Sequence, residues 1–268
     1  MSIITNDFEK MNITKIKNSK NNKKLTMITA YDALFAKLFE EIADMILVGD
    51  SLNMSFAGKP DTLSATLKQM IYHTNAVCTG AKKAFVILEM PFGTYINKNE
   101  ALKNAVKVYQ ETNASAIKIE GGEDRADIIK HLTSNSIAVM GHIGLMPQYV
   151  RSEGGYKVRG KTPQDEEQLI RDAIAVEKAG AFSIVVEGVM SSVAKKITEA
   201  VNIPTIGIGA GNVTDGQVLV WSVMLGFFEE FKPKFVRHYM QGASLVKEAV
   251  NQYRNDVQDS SFPSKEEE

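Results

Sequence analysis

Short runs rich in Val, Ile and Leu recur along this chain, each but the last followed by a polar or glycine turn and then a segment of helical spacing. They lie at Leu25 to Thr29, Met45 to Val48, Phe85 to Met90, Ala116 to Ile119, Ile137 to Met140, Phe182 to Val186, Pro204 to Ile208 and Lys234 to Val236. The runs are continuous, not alternating, as parallel strands covered on both faces require. Between them, Leu34, Leu38 and Ile42 mark one helical stripe, and Leu67, Met70, Ile71, Thr74 and Val77 a second. A third, Leu169, Ile170, Ala173 and Val176, opens on Thr162-Pro163, where proline suits a first helical turn, and stops near Gly180. Strands alternating with helices in 268 residues match the ~250 residues of one (β/α)8 barrel. We expect that α/β fold as a single domain over residues 25–255; an open doubly wound sheet is the alternative. Residues 1–24 read as a lead-in whose amphipathic part, Phe8 to Ile16, closes the barrel bottom, and residues 256–268 as a disordered charged tail.

Composition removes several classes of function. With 31 basic and 32 acidic side chains and a net charge of -1, there is no cationic excess to displace counterions from a phosphate backbone, so nucleic acid is not an expected partner. The single cysteine, Cys78, rules out an internal disulfide and a cysteine zinc cluster and suits the cytoplasm. The start of the chain lacks the apolar stretch of about 7 to 15 residues that a signal peptide needs. No segment reaches the ~18 consecutive apolar residues of a membrane span. The lysines between Lys15 and Lys24 read as a solvated lead-in.

A barrel of this kind carries its chemistry at the C-terminal ends of the strands. That rule selects Asp50 and Ser51 after the second run, Glu89 at the end of the third, and Lys118 and Glu120 at the fourth. It also selects His142 at the fifth and Glu187 at the sixth. Carboxylates gathered at one mouth repel, and relief comes from a divalent cation, a proton or nearby lysines. Oxygen ligands without His or Cys pairs favour magnesium, with Asp50, Glu89 and Glu120 as ligands. Pairing of these strand-end residues with lysines remains the alternative. Glu187 follows Ile184-Val185-Val186, an apolar setting that would suit a general base, although a salt-bridged structural glutamate fits the same spacing.

Ordered motifs add a resemblance. Val48-Gly49-Asp50-Ser51-Leu52, Gly58, Thr62-Leu63 and Met70-Ile71-Tyr72-His73-Thr74 are followed by Met90-Pro91-Phe92 and Lys118-Ile119-Glu120-Gly121-Gly122. Then come Gly141-His142-Ile143-Gly144-Leu145-Met146-Pro147-Gln148, Gly154 to Gly160, Ile203 to Gly211 and Asp215 to Val220. Together, over about residues 25 to 240, they resemble the ketopantoate hydroxymethyltransferases. The resemblance implies a TIM barrel of the phosphoenolpyruvate/pyruvate type and transfer of a hydroxymethyl group from 5,10-methylenetetrahydrofolate to 3-methyl-2-oxobutanoate. The product would be 2-dehydropantoate, on the route to pantothenate. It implies Mg2+ held by Asp50 and Glu120, with Glu89 standing where the family usually has aspartate. It implies substrate contacts from Asp50, Ser51, Glu89, Lys118 and His142, with Glu187 as catalytic base. It also implies a homo-oligomer, often a decamer. A glutamate at position 89 carries its carboxylate ~1.5 Å farther than an aspartate would, which makes direct ligation there less secure.

Two other readings share the same residues. Carbon-carbon lyases related to isocitrate lyase and phosphoenolpyruvate mutase use this barrel too, but with a Lys-Lys-Cys-Gly-His type loop that is absent here. A non-catalytic binding barrel would leave the acidic mouth structural. The Gly207, Gly209 and Gly211 run reads as tight turning beside the pocket, not as a phosphate loop. The cationic Arg151 to Lys161 segment is long enough to act as a lid and equally long enough to be an ordered packing loop.

Overall fold

The structure, a computed structural model, describes residues 10–229 and 233–268. Eight parallel strands close on themselves: β1 (Leu25–Thr29), β2 (Met45–Val48), β3 (Phe85–Glu89), β4 (Ala116–Glu120), β5 (Val139–Gly144), β6 (Ser183–Glu187), β7 (Thr205–Ile208) and β8 (Gly216–Leu219). Each pairs with the next in sequence, and β8 pairs with β1. The helices are α1 (Ile13–Asn18), α2 (Ala33–Phe39), α3 (Leu52–Ser55), α4 (Leu67–Gly80), α5 (Lys98–Glu111), α6 (Ala126–Ser134), α7 (Pro163–Lys178), α8 (Ser191–Ala200), α9 (Trp221–Met224) and α10 (Gly242–Gln258).

The interior explains why one sequence supplies both a core and a site. Along each strand, alternate residues face the barrel axis. At the lower end these are Leu25, Met27, Met45, Leu47, Phe85, Ile87, Ala116, Met140, Val185, Ile206 and Val218, all in one buried cluster. Two residues further along the same faces, the apolar pattern gives way to Glu89 after Ile87, Lys118 after Ala116, His142 after Met140 and Glu187 after Val185. The barrel floor is therefore apolar and its mouth ionic. From below, α1 inserts Ile16 into the same cluster, with Met11 and Ile13 packed beside it; Asn12 caps this helix by accepting from the Lys15 amide at 3.0 Å. Residues 1–9, which include the start of the expected Phe8 to Ile16 plug, lie outside the described residues.

Three expectations need correction. The eighth strand is Gly216–Leu219, not Lys234 to Val236, which forms a turn. It escapes an apolar-run search because it is short and opens on glycine. That glycine is required by space: a Cβ at Gly216 would lie 2.6 Å from the Leu25 carbonyl oxygen and 2.7 Å from Ile206 Cδ1. The first helical stripe does not face the core either, since Leu34 and Leu38 on α2 and Ile42 in the turn after it are 67%, 58% and 79% exposed, and Ala36 is the residue buried on that helix. The third correction concerns the lysines of the lead-in, which are not all solvated. Lys20 Nζ reaches the Thr198 carbonyl at 2.7 Å and Asp215 Oδ2 at 2.8 Å, and Lys24 Nζ bonds the Thr214 carbonyl. The described residues from 220 onwards form a compact unit of their own, and those up to 219 another. Within the former, Trp221 and Phe227 meet edge-on at 5.4 Å, and α10 runs to Gln258, beyond the expected start of the tail. Phe262 packs on Tyr253 with ring centroids 5.5 Å apart.

Asp215 ties the floor together. Its Oδ2 accepts from Lys20, the Thr205 amide at 2.9 Å and the Thr205 hydroxyl at 3.0 Å. Burial pushes its carboxyl up, but the Lys20 and Thr205 donors outweigh that and hold it below the usual carboxylate range. A depressed folded pKa contributes stability above the unfolded value, near 4, and loses it as pH falls through the folded value. Replacing Asp215 by Asn should therefore lower stability at pH 7 by about 1.5–3 kcal/mol, the range for hydrogen bonds to a charged group, read as a lower urea midpoint, because Lys20 loses its counter-charge. The deficit should shrink in acid, and equal midpoints at pH 7 would show that the ion pair does not hold the floor.

Candidate active site

Strand register assembles the mouth. Glu89 pairs across the ladder with Lys118, Glu120 with His142, and Gly144 with Glu187. Lys118 and Glu120, two apart on β4, share a face. Asp50 lies two residues past β2, and its backbone amide donates to Glu89 Oε2 at 3.0 Å. The other Glu89 oxygen bonds Lys118 Nζ. His142 sits between two carboxylates, with Nδ1 3.5 Å from Glu120 Oε1 and Nε2 3.3 Å from Glu187 Oε2. Asp50, Glu89, Lys118, Glu120 and His142 are all buried, whereas the Glu187 side chain is 22% exposed. The apolar run before Glu187 is buried, but its carboxylate opens towards solvent. Gly144 makes this approach possible: with φ of +99°, it brings the β5 backbone against β6, and a Cβ there would lie 2.3 Å from the Glu187 carbonyl oxygen.

The charges are unequal. Burial first, then the neighbouring Glu89 and Glu120, pushes the Asp50 carboxyl well above its ordinary range. Burial likewise raises Glu120. Glu89 is the exception: burial would raise it, yet Lys118 and His142 bring it below the usual value. Lys118 is raised, because the surrounding carboxylates outweigh burial. For His142, burial and Lys118 act against the proton, and Glu120 and Glu187 prevail, so its pKa is raised. Lys118 and a protonated His142 together still leave three close carboxylates one positive charge short, which a proton on Asp50 or a bound cation would supply.

The donor set fits a cation. Glu89, Glu120 and His142 each offer an atom within 4.8 Å of the others. Glu120 Oε1 and both His142 nitrogens are buried without a hydrogen-bond partner among the described residues. The structure thus adds His142, read from sequence as a substrate contact, to the atoms that meet there. Asp50 is not one of that triple; its Oδ2 accepts from Gln148 Nε2 at 2.8 Å. Glu89 has both oxygens engaged, one by the Asp50 amide and the other by Lys118.

Three residues escaped the strand-end rule. Gln148 and Tyr95 are buried against the carboxylates, and Tyr31 hydrogen-bonds Ser51 Oγ at 2.8 Å. Gln148 lies four residues past β5 and Tyr95 six past β3, beyond the strand ends to which that rule was applied. Beside them, Phe92, Ile96, Arg125 and Tyr149 help line a cavity of about 150 Å³. The Arg151 to Lys161 segment is a loop with several fixed contacts. Arg151 pairs with Asp61 at 3.0 Å, and Arg159 binds Asp165 at 2.7 Å, while its amide donates to the Gly188 carbonyl at 2.8 Å.

Comparison with known proteins meets this geometry. A family profile described as ketopantoate hydroxymethyltransferase matches residues 10–265. The chain belongs to the ketopantoate hydroxymethyltransferase family. It is 88% identical, over all 268 residues and the full length of both chains, to the 3-methyl-2-oxobutanoate hydroxymethyltransferase of Aliarcobacter butzleri. It is 65% identical over 254 residues to the protein of that name from a Nitratiruptor species, covering 95% of this chain and 96% of the other. As a member of this hydroxymethyltransferase family, the chain is a transferase. Its barrel resembles phosphonopyruvate hydrolase solved with oxalate and Mg++, at TM-score 0.63 and 14% identity over 96% of this chain and 93% of that one. It also resembles 2,3-dimethylmalate lyase of the PEP mutase/isocitrate lyase superfamily, at TM-score 0.61 and 14% identity over 91% and 88%. These two show the shared fold alone. No helix among the described residues is long and apolar enough to cross a membrane.

Proposed function

We propose that this hydroxymethyltransferase converts 3-methyl-2-oxobutanoate, 5,10-methylenetetrahydrofolate and water to 2-dehydropantoate and tetrahydrofolate. Family membership supports the reaction, and one observation carries the mechanism: a partly exposed carboxylate, Glu187, faces a buried cluster of three carboxylates and a lysine across His142. Asp50, Glu89 and Glu120 would hold magnesium, since a hard cation prefers their oxygens to the His142 nitrogen. Bound there, magnesium supplies Lewis-acid polarisation of the keto acid's carbonyl.

The protein's own groups do the rest. Glu187 removes the single proton from C3 of the keto acid, and its partial exposure gives that proton a way out to solvent. Lys118, kept charged by its carboxylate neighbours, faces the negative charge that develops on the enolate oxygen. His142 hydrogen-bonds the substrate and orients Glu187. Ser51, held by Tyr31, grips the keto acid from the β2 side. The enolate carbon then attacks the one-carbon unit of the folate as one of its two C–N bonds breaks; water replaces the second, leaving the hydroxymethyl group, and the C3 proton and one water proton balance the two N–H groups of the tetrahydrofolate released.

We further infer a cytoplasmic homo-oligomer, a decamer on the family pattern. The support within this chain is the exposed Leu34, Leu38 and Ile42 stripe, which a second copy would cover. The purified chain with magnesium and both substrates should yield 2-dehydropantoate by mass spectrometry, and no product without the folate. Cleavage of the keto acid in place of its extension would sink the reading in favour of a lyase.

A further inference from the structure

We propose that Gln148 is a positioning residue that sets the orientation of two carboxylates at the cation site. The inference rests on the reading of Asp50 and Glu120 as magnesium ligands. Gln148 is 4% exposed, and each polar group available for positioning is occupied. Its side-chain Nε2 donates to Asp50 Oδ2 at 2.8 Å and to the Met90 carbonyl at 3.0 Å. Its Oε1 accepts from the Tyr95 hydroxyl at 2.5 Å. Its backbone amide donates to Glu120 Oε2 at 3.0 Å.

These partners define the amide's orientation. A main-chain carbonyl can only accept, so the nitrogen must face Met90, and its remaining proton points at Asp50. The Tyr95 hydroxyl holds the oxygen side. Pro147 to Tyr149 form one short helical turn, so one residue on it supplies both the amide that binds Glu120 and the side chain that binds Asp50. The effect on Glu120 is selective. Oε2 is committed to Gln148, while Oε1 is left buried without a partner, 3.5 Å from His142. Gln148 therefore determines which Glu120 oxygen stays available, and it holds Asp50 against the repulsion of Glu89 and Glu120. Groups that fix ligand orientation in this way typically alter metal affinity by about 10- to 100-fold when removed.

The two arms can be separated experimentally. Replacing Gln148 by Met keeps a long unbranched side chain and the backbone arm to Glu120, and removes the side-chain arm to Asp50 together with its supports on the Met90 carbonyl and the Tyr95 hydroxyl. Magnesium binding to the full chain, measured by titration calorimetry, should weaken about 10- to 100-fold in Gln148→Met, with the thermal midpoint taken alongside. Tyr95→Phe frees the amide oxygen without shortening any ligand and should weaken binding in the same direction by less; it supplies the answer if Gln148→Met fails to fold. Wild-type magnesium affinity in a folded Gln148→Met, or in Tyr95→Phe where that is the variant read, overturns the proposal. A lower midpoint with unchanged affinity would make Gln148 merely structural. Failure of the wild-type chain itself to bind magnesium would overturn the underlying metal reading instead, and this proposal with it.

Discussion

Replacing Lys118 by Met should destabilise the chain by about 3–5 kcal/mol, the range seen when one partner of a buried ion pair is removed. Lys118 is the cation facing Glu89 within the buried cluster, with Asp50 and Glu120 close enough to act on it. Without it, three carboxylates share a dry site, and Glu89 loses the charge that now holds its pKa down. The sign of the pH effect follows. Carboxyls whose folded pKa rises above the unfolded value favour the folded state at low pH, and this contribution is lost as pH rises through the folded value. The deficit of Lys118→Met relative to wild type should therefore be largest near pH 8 and shrink towards pH 5. Thermal unfolding across that range, with and without magnesium, reads the effect, and magnesium should restore part of it by binding the folded form. A midpoint equal to wild type at pH 8 in chelator would show that Lys118 does not neutralise the cluster.

Glu187→Gln should abolish proton removal while leaving the site assembled. The glutamate is the most exposed of the charged residues at the mouth, and His142 is its nearest charged neighbour, so its replacement by an uncharged near-isostere leaves Asp50, Glu89, Lys118 and Glu120 in place. Keto-acid binding should stay within a few-fold of wild type, whereas exchange of the C3 proton should fall by about 10²- to 10⁴-fold, the usual contribution of a positioned general base. Wild-type exchange in this variant would remove Glu187 from the role and point to another group at the mouth.

The sequence made much of this readable for a physical reason. A closed parallel barrel needs continuous apolar strands, and seven of the eight were visible as such; their polar ends then had to meet at one mouth. What stayed hidden depends on relations that a linear pattern does not contain. Gly216–Leu219 is held as a strand by its neighbours on both sides, β1 and β7, not by its own apolarity. The stripe on α2 has a helix-facing spacing yet lies in solvent in the single chain, because periodicity identifies an apolar face without saying what covers it. Lys20 looks solvated among asparagines, and only the fold brings Asp215, 195 positions away, to its side chain. At the site, spacing selected Asp50, Glu89, Lys118, Glu120, His142 and Glu187, but the Gln148 and Tyr95 contacts behind them come from loops whose paths the pattern leaves undefined.

The central claim is that this mouth enolises a keto acid before any carbon transfer. Its most direct test is proton NMR of 3-methyl-2-oxobutanoate in D2O with the wild-type chain and no folate. The account predicts loss of the C3 proton signal in the presence of magnesium, none in chelator, and recovery of exchange when magnesium is returned. Exchange that proceeds equally in chelator, or that begins only when the folate is added, would contradict it.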